Sequence, residues 1–562
     1  MLAILLALTI AADTSNVSFI LSPIYVKGKA SHGICEEKFP ATYRILNFKF
    51  ESPTINFLTL PGIYPRSYLN MTGISIRGSG MEEVKVMFEG IPVKNPQNGY
   101  FDFSFLPSDI ISSIEVLLTG NSSYYGYNSM GGIVNIMLPA GANFVSIGTG
   151  ENGYFSLSAF KNALIRGRFY LRAGAAFELT PSTYTLQAPN MQMEIKNAGR
   201  KKIFTFIEAG NALMTGFLGI GFSNRGIPII PGGYTTTRDS ILETMLISRL
   251  DYNNFKFSIY RDWFTYKPEF TKTNSYETYS YHVAYEPSGF AKIEFSREGI
   301  TSSSLGNHNR SALSISLNYS ENLGLFIPVF SVSGDFWFNT YEFRKSFFCG
   351  VSTKFGPYIS VSTGYRLPTY NDLYWPETPF AVGNPDLKDE NLIEYEIGFK
   401  KKLRHFSASA SRFWRYYRDL IKWSPGVDGK WRPMNLRDVS IYGIDGDLKI
   451  NFKSFNFIAS GEFIDNVESD VNLVYYPDLS WSLTGGFKWV SLNINHIGAR
   501  YERLTGPKKL PPVTLVNLYL AIPFKSYSFL LEVSNLTDKY YLLLRGYPAP
   551  GREWHIKLRK NL

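Results

Sequence analysis

From residue 143 onward one pattern repeats: about ten residues in which apolar and polar side chains alternate, then a turn. In GRFYLRAGAAFEL (167–179), Phe169, Leu171, Ala173, Ala175, Phe177 and Leu179 fall on one side, and Tyr170, Arg172 and Glu178 on the other. In SALSISLNYS (311–320), Leu313, Ile315, Leu317 and Tyr319 alternate with Ser314, Ser316, Asn318 and Ser320 without a break. Successive side chains of a strand point to opposite faces, so this is the period of β-structure with one apolar surface. Soluble sandwiches alternate too. They do not sustain the pattern for about 420 residues with no helical interlude and no linker, because a chain of that length divides into domains. One very large barrel accommodates it. A hairpin with a short turn at one rim and a longer loop at the other takes about 35–40 residues, so the segment supplies about eleven hairpins and predicts a 22-stranded antiparallel transmembrane β-barrel. A barrel of that size encloses a lumen that needs filling.

The rest of the composition fits a membrane barrel. The chain has no run of about 18 apolar residues, which excludes transmembrane helices. A spanning strand needs only about 9 to 11 residues and averages lipid-facing with lumen-facing side chains, in keeping with a mean hydropathy of −0.10. Tyrosine-rich stretches such as SYETYSYHVAY (275–285) and FWRYYRDLIKW (413–423) suit the aromatic girdles of such a barrel. The net charge of +10 is scattered rather than gathered on one face, which suits an anionic membrane surface and predicts no nucleic-acid partner. Cys35 and Cys349 lie far apart, and neither a disulfide nor a metal cluster is indicated. At the N-terminus, MLAILLALTIAADTS has an apolar core too short to span a membrane, followed by Ala11 and Ala12. It reads as a signal peptide over 1–12, although no Lys or Arg precedes the core.

Residues 43–140 lack the long-range alternation of the barrel segment. A short helix is expected before the Leu60, Pro61, Gly62 turn, then compact strands at 73–77, 83–88 and 114–118, making a small N-terminal α+β domain. Its last part, IEVLLTGNSSYYGYNSMGGIVNIMLP (114–139), reads as strand, turn and strand, with Gly126, Gly131 and Gly132 permitting close backbone approach. The neighbouring acids Glu82 with Glu83 and Asp389 with Glu390 read as solvated loop charges. No GxxxxGK[ST] phosphate loop and no GxSxG serine is present, and the six histidines are dispersed without metal-ligand spacing. No enzyme activity, no cofactor and no metal site is expected.

Five pieces of this domain occur in a fixed order: LPGI (60–63), ISIRG (74–78), VKVMFEGIPV (84–93), FLPSDIISSIEVLLTG (105–120) and YGYNSMGGIVNI (125–136). Together they resemble the plug domain of TonB-dependent outer-membrane receptors. GYRLPTYNDLYWP (364–376), GNPDLKDENLIEYEIGFK (383–400) and VSNLTDKYYLLLRGYPAPGREWHIKL (533–558) resemble the late barrel of the same family, particularly its cobalamin-receptor branch. The final strand keeps Trp554, Ile556, Leu558 and Leu562 in one register. There are departures: Glu89-Gly90 stands where the family usually has Asp-Gly, Thr119-Gly120 where it has Arg-Gly, and Leu562 where it ends in an aromatic residue.

The resemblance implies a plug over 43–140 inside a barrel over 143–562, with an N-terminal arm over 13–42. It implies an outer-membrane location, surrounding outer-membrane lipid, a monomer, and the TonB protein of the inner-membrane energising complex as partner. The TonB box would be SPIYVKG (22–28), with Ser22, Pro23, Ile24, Tyr25 and Val26 adding to TonB as an extended strand; an ordinary N-terminal arm is the competing reading. Arg77 would pair with a carboxylate of the barrel wall and lock the plug, or else be a solvated surface arginine. Ligand contacts would come from two apical plug loops, 64–72 and 94–101, through Tyr64, Arg66, Tyr68, Asn95, Gln97, Asn98, Tyr100 and Phe101, which offer hydrogen bonds and flat apolar surfaces. Exposed loops of that composition also occur without binding anything. The implied activity is import of a scarce, large ligand, cobalamin first, with an iron-siderophore or other metal chelate second. A passive binding barrel or adhesin is the more distant alternative. The loop TPSTYTLQAPNMQMEIKN contains one acid, Glu194, which speaks against loops ordered by calcium.

Overall fold

In a computed structural model, the structure describes residues 40–47, 52–68, 70–165, 169–188, 191–229, 239–269, 272–436, 438–465 and 471–562. The expected signal peptide, the candidate TonB box and Cys35 lie outside the described residues.

Twenty-two strands close into one barrel, each hydrogen-bonded to its neighbours, as the alternation predicts. Closure is made where the last strand, Glu553–Asn561, pairs antiparallel with the first, Phe144–Gly150. The Leu562 amide donates to the Asn143 carbonyl at 2.9 Å beside that seam. In the strand Met214–Gly226, Leu218, Ile220 and Phe222 point outward and are exposed, while Phe217, Ser223 and Arg225 point inward and are buried. An apolar band of this kind around a closed barrel is what lipid requires, since closure leaves no backbone edge unpaired. At one rim the connections are short, as at 211–213, 253–254 and 488–489; at the other they are long, as at 181–199, 367–389, 419–438 and 535–552. Short turns face the periplasm in such barrels and long loops face outward. Outer loops carry hairpins of their own, among them Tyr184–Ala188 with Met191–Ile195 and Leu420–Pro425 with Trp431–Leu436.

The expected aromatic girdle is only partly present. Tyr285 does sit exposed beside Phe255 at the short-turn rim, ring centroids 4.7 Å apart. Tyr276, Phe413 and Tyr417, however, point into the lumen and are buried. They fall on the inward parity of their strands, and the lumen there is filled with protein rather than water.

The filling is a five-stranded sheet. Strands β1 (Tyr43–Asn47), β2 (Ile63–Tyr68), β3 (Met71–Ile76), β4 (Val84–Phe88), β5 (Ile91–Pro92), β6 (Ser113–Leu117) and β7 (Gly132–Met137) appear in chain order, with β2 and β3 forming a separate hairpin. The sheet order is β1-β6-β7-β4-β5, and only β4 and β7 run parallel. Helix α1 (Pro53–Leu58) starts with Pro53, whose fixed φ suits a first helical position. Between β6 and β7 the expected plain turn contains a helical turn, α2 (Ser122–Tyr125). Asn121 caps it by accepting the Tyr124 amide at 3.2 Å, and Gly126, at φ +85°, ends it. Gly120 is needed for a different reason: a Cβ there would run into the Met130 carbonyl.

The plug has no core separate from the wall. Phe57, Ile76, Val86, Phe88, Val116 and Val134 are buried together with wall residues such as Phe204, Phe217, Met245 and Ile247. Burying each such side chain contributes about 1.5–3 kcal/mol, so the plug is seated as well as enclosed.

Candidate functional site

Between the plug and the wall strands Glu390–Lys402, Phe406–Arg418 and Val439–Asn451 lies a buried ionic cluster. Arg77 follows β3 in the left-handed region, at φ +47°, with Gly78 next at +78°. That turn aims its guanidinium at the wall. Nη2 lies 2.5 Å and Nε 3.0 Å from Asp445, Nη1 lies 3.0 Å from Glu394 and 2.8 Å from Glu396, and the ring of Phe413 lies 4.2 Å beneath. Burial by itself would favour the neutral form, but Asp445, Glu396 and Glu394 hold Arg77 protonated, well above its ordinary range. Its side chain is fully buried, so the solvated reading does not describe it.

Two further arginines complete the cluster. Arg44 of β1 pairs with Asp445 at 3.1 Å and Asp447 at 3.4 Å. Arg415 comes from the wall and reaches into the plug. Its Nη1 donates to the carbonyls of Ile76 (2.9 Å) and Arg77 (3.3 Å), and its Nη2 to those of Leu118 (2.7 Å) and Gly131 (3.2 Å), besides pairing with Glu394 at 3.2 Å. Where the family pattern has a plug arginine, Thr119 instead donates its hydroxyl to Glu396, and the Gly120 amide donates to Glu394 at 3.1 Å. The charge missing from the plug at that point is therefore matched by one supplied from the wall. Sequence reading found Arg77 and missed Arg44, Arg415, Glu394, Glu396, Asp445 and Asp447. The signal was present: IEYEI and YGIDGDL place acids at alternate, inward positions between apolar outward ones.

The reading of the paired acids as solvated also fails. Glu83 and Glu390 are buried, Glu390 against Arg366 at 2.5 Å. Asp389 lies 2.5 Å from Arg344. Glu82 and Glu83 receive Lys422 of the outer hairpin at 3.3 and 3.4 Å. Burial would raise the Glu82 carboxyl, but Lys422 and then Arg366 outweigh it and take it down to about 2. Glu390 gets its partner from the neighbouring barrel strand, in register with Arg366, and Glu82 and Glu83 get theirs from an outer hairpin that folds inward.

The eight apical residues divide. The segment 64–72 is the β2–β3 hairpin rather than a loop, with Ser67↔Thr72 in register. Tyr64 is buried beneath outer-loop residues: its hydroxyl accepts from Arg500 at 3.0 Å and its ring meets Tyr476 edge-on. Phe101 is 2% exposed and packs against Phe103, so it belongs to the plug core. Asn95 and Gln97 are buried as well. Asn95 donates to Asp262 at 3.0 Å and accepts the Gln97 amide at 2.9 Å, while Asn98 accepts the Tyr100 amide at 3.1 Å. Arg66, Tyr68, Asn98 and Tyr100 retain partial exposure, and the Tyr68 and Tyr100 hydroxyls meet at 3.2 Å.

An outer loop covers this apex. Helix α3 (Tyr370–Tyr374), capped by Thr369 and Asp372, donates the Tyr370 and Asn371 amides to the carbonyls of Pro96 (3.2 Å) and Gln97 (2.9 Å). Elsewhere at the plug apex a cavity of about 150 Å³ is lined by Tyr68, Asn70, Tyr154, Tyr184, Tyr541 and Tyr547 among others. Four of those six come from the barrel and its outer loops, which sequence order alone does not bring to the plug. Among the described residues no cluster of three or more His, Cys, Asp or Glu side chains is arranged to hold a metal ion.

This architecture has known counterparts. Residues 55–133 match the TonB-dependent receptor plug domain, and residues 350–536 match the TonB dependent receptor-like β-barrel. A relative named vitamin B12 transporter BtuB, from Vibrio vulnificus, is 23% identical over 556 residues, covering 88% of this chain and 87% of its own. Among solved structures, the siderophore receptor PirA of Acinetobacter baumannii superposes with a TM-score of 0.73 at 15% identity, covering 92% of this chain and 98% of its own. The ferric enterobactin receptor PfeA of Pseudomonas aeruginosa gives 0.72 at 16% identity, covering 92% and 98%. With a 22-stranded barrel, a plug inside it, and sequence matches to both, the chain belongs to the TonB-dependent receptor family of the outer membrane.

Proposed function

We propose that this receptor imports cobalamin across the outer membrane, driven by TonB acting on an N-terminal box at Ser22, Pro23, Ile24, Tyr25 and Val26. The observation that carries the cargo is the match along nearly the whole chain to a relative named as a vitamin B12 transporter. A ferric siderophore or another metal chelate is the second reading. Its support is likeness to siderophore receptors in fold, a weaker basis because many cargoes share one fold.

Two structural features suit a large cargo taken up through closure and release. The apical cavity of about 150 Å³ is below the roughly 300–1,000 Å³ of a site for drug-sized ligands, so a larger molecule enters only when outer loops part. The outer-loop segments that line the cavity, around Tyr184 and from Tyr541 to Gly551, are the elements that then move. Of the predicted set, Tyr68, which lines the cavity, and Tyr100, whose hydroxyl meets that of Tyr68, would contact the cargo; Tyr64, Phe101 and Arg77 would act by holding the plug. A passive binding barrel is disfavoured by a plug whose core is continuous with the wall.

Equilibrium binding of cyanocobalamin and of a ferric siderophore panel to the purified receptor tests the cargo. Saturable cyanocobalamin binding with no siderophore binding is expected; the reverse would replace the cargo reading. Deleting 22–28 should abolish uptake in cells and leave binding intact, and uptake unchanged by that deletion would remove TonB coupling through this box.

A further inference from the structure

The two edges of the plug sheet meet unlike walls. On the β4 side, Phe88 lies against Phe204 and Phe217, ring centroids 5.3 and 6.1 Å away, and the apolar core runs on into the wall through Phe160, Ala176, Met245 and Ile247. On the β1 side the wall is polar. The register aligns Asp447, Ser460, Ser482 and Asn495 in one row across four adjacent strands, Val439–Asn451, Phe455–Asp465, Leu479–Phe487 and Val490–Ile497. Arg44 of β1 meets the end of this row at Asp447.

The polar row is incompletely bonded. Asn495 is 1% exposed, yet among the described residues neither its amide nitrogen nor its amide oxygen has a hydrogen-bond partner. The Ser460 hydroxyl and Glu462 Oε1, the latter in the adjacent row, are likewise buried without one. Nearer the periplasmic rim, Asn493 and Asn517 do bond each other at 2.9 Å. Buried polar groups are nearly always paired, and leaving them unpaired is unfavourable. Parting the plug from the Phe204 wall would expose a continuous apolar surface and break the ion pair of Arg172 with Glu89, whereas parting it from the Asn495 wall gives these groups partners. Toward the outer rim the seam is closed by α1, whose Ile55 and Leu58 share a cluster with Ile464, Ile497, Val513 and Leu515.

We infer that the plug separates from the barrel along the strands Phe455–Asp465, Leu479–Phe487 and Val490–Ile497, and that the ligand crosses there while the β4 side stays seated. Ser460, Glu462, Ser482 and Asn495 would meet its hydrogen-bonding groups. Apart from Glu462 this lining is uncharged, so it suits an amide- or hydroxyl-rich ligand and disfavours a polyanion. Such a path presupposes the proposed import function.

The test uses the full-length receptor with Cys35→Ser and Cys349→Ser, and compares maleimide labelling of Ser460→Cys and Asn495→Cys with Ala176→Cys on the apolar wall. Local opening sets the rate at such buried sites, so labelling at 460 and 495 should be about tenfold faster than at 176 or more. Equal rates, or faster labelling at 176, would overturn the proposal. In cells, Asn495→Leu should cut cyanocobalamin uptake severalfold with binding unchanged, and unaltered uptake would also overturn it. If the unsubstituted receptor neither binds nor imports cyanocobalamin, the cargo reading fails and the labelling contrast alone decides the path.

Discussion

The Arg77 guanidinium of the plug lies 2.5 Å from Asp445 of the barrel wall, a pair separated by 368 residues and fully withdrawn from solvent. Removing one member of a buried pair leaves the other charge uncompensated, which costs about 3–5 kcal/mol. Arg77→Ala should therefore loosen the plug far more than Arg77→Lys, which keeps the charge. Limited proteolysis of the plug in intact outer membranes would show it. Equal protection in both variants would mean that Phe88 and its apolar neighbours hold the plug unaided.

Arg415 offers a second and different handle. It bonds backbone carbonyls from three separate plug segments, so its loss affects docking without altering any plug side chain. Arg415→Leu should raise the permeability of cells to a bulky antibiotic while the barrel's own thermal unfolding changes little. Susceptibility assays paired with heat-modifiability on gels separate the two effects.

Burial predicts different consequences within the apical set. Phe101→Ala removes a core ring and should destabilise the plug by about 3–5 kcal/mol, with little change in intrinsic ligand affinity. Tyr68→Ala and Tyr100→Ala should leave stability nearly unchanged and weaken cyanocobalamin binding about tenfold, the equivalent of about 1.4 kcal/mol. Calorimetry and binding isotherms on the three variants would distinguish these roles.

Acid should release the outer hairpin from the plug. The Glu82 carboxyl is taken down to about 2 because Lys422 and Arg366 outweigh its burial. Its folded-state value thus lies below the ordinary one of about 4.3, and the stabilisation it provides is complete above that ordinary value. It is lost as pH falls from there through about 2. Hydrogen exchange in Leu420–Pro425 should rise across that window, and Glu82→Gln should remove the pH dependence.

Much of this protein is legible locally. Alternation along each strand specifies which side chains face lipid, because a strand's period is set by its own backbone, and the 22-stranded count follows from hairpin length. The plug is legible through five short pieces in order, each tied to a turn or strand nearby in sequence. Partnership across the lumen is not local. Tyr64 and Phe101 have the composition of binding residues and are buried, and Glu83 and Glu390 look solvated and are not. Arg415 supplies from the wall a charge that the sequence motif omits at Thr119. Parity tells a side chain to point inward; only the closed barrel, by bringing residues hundreds of positions apart within hydrogen-bond reach, decides what it meets there.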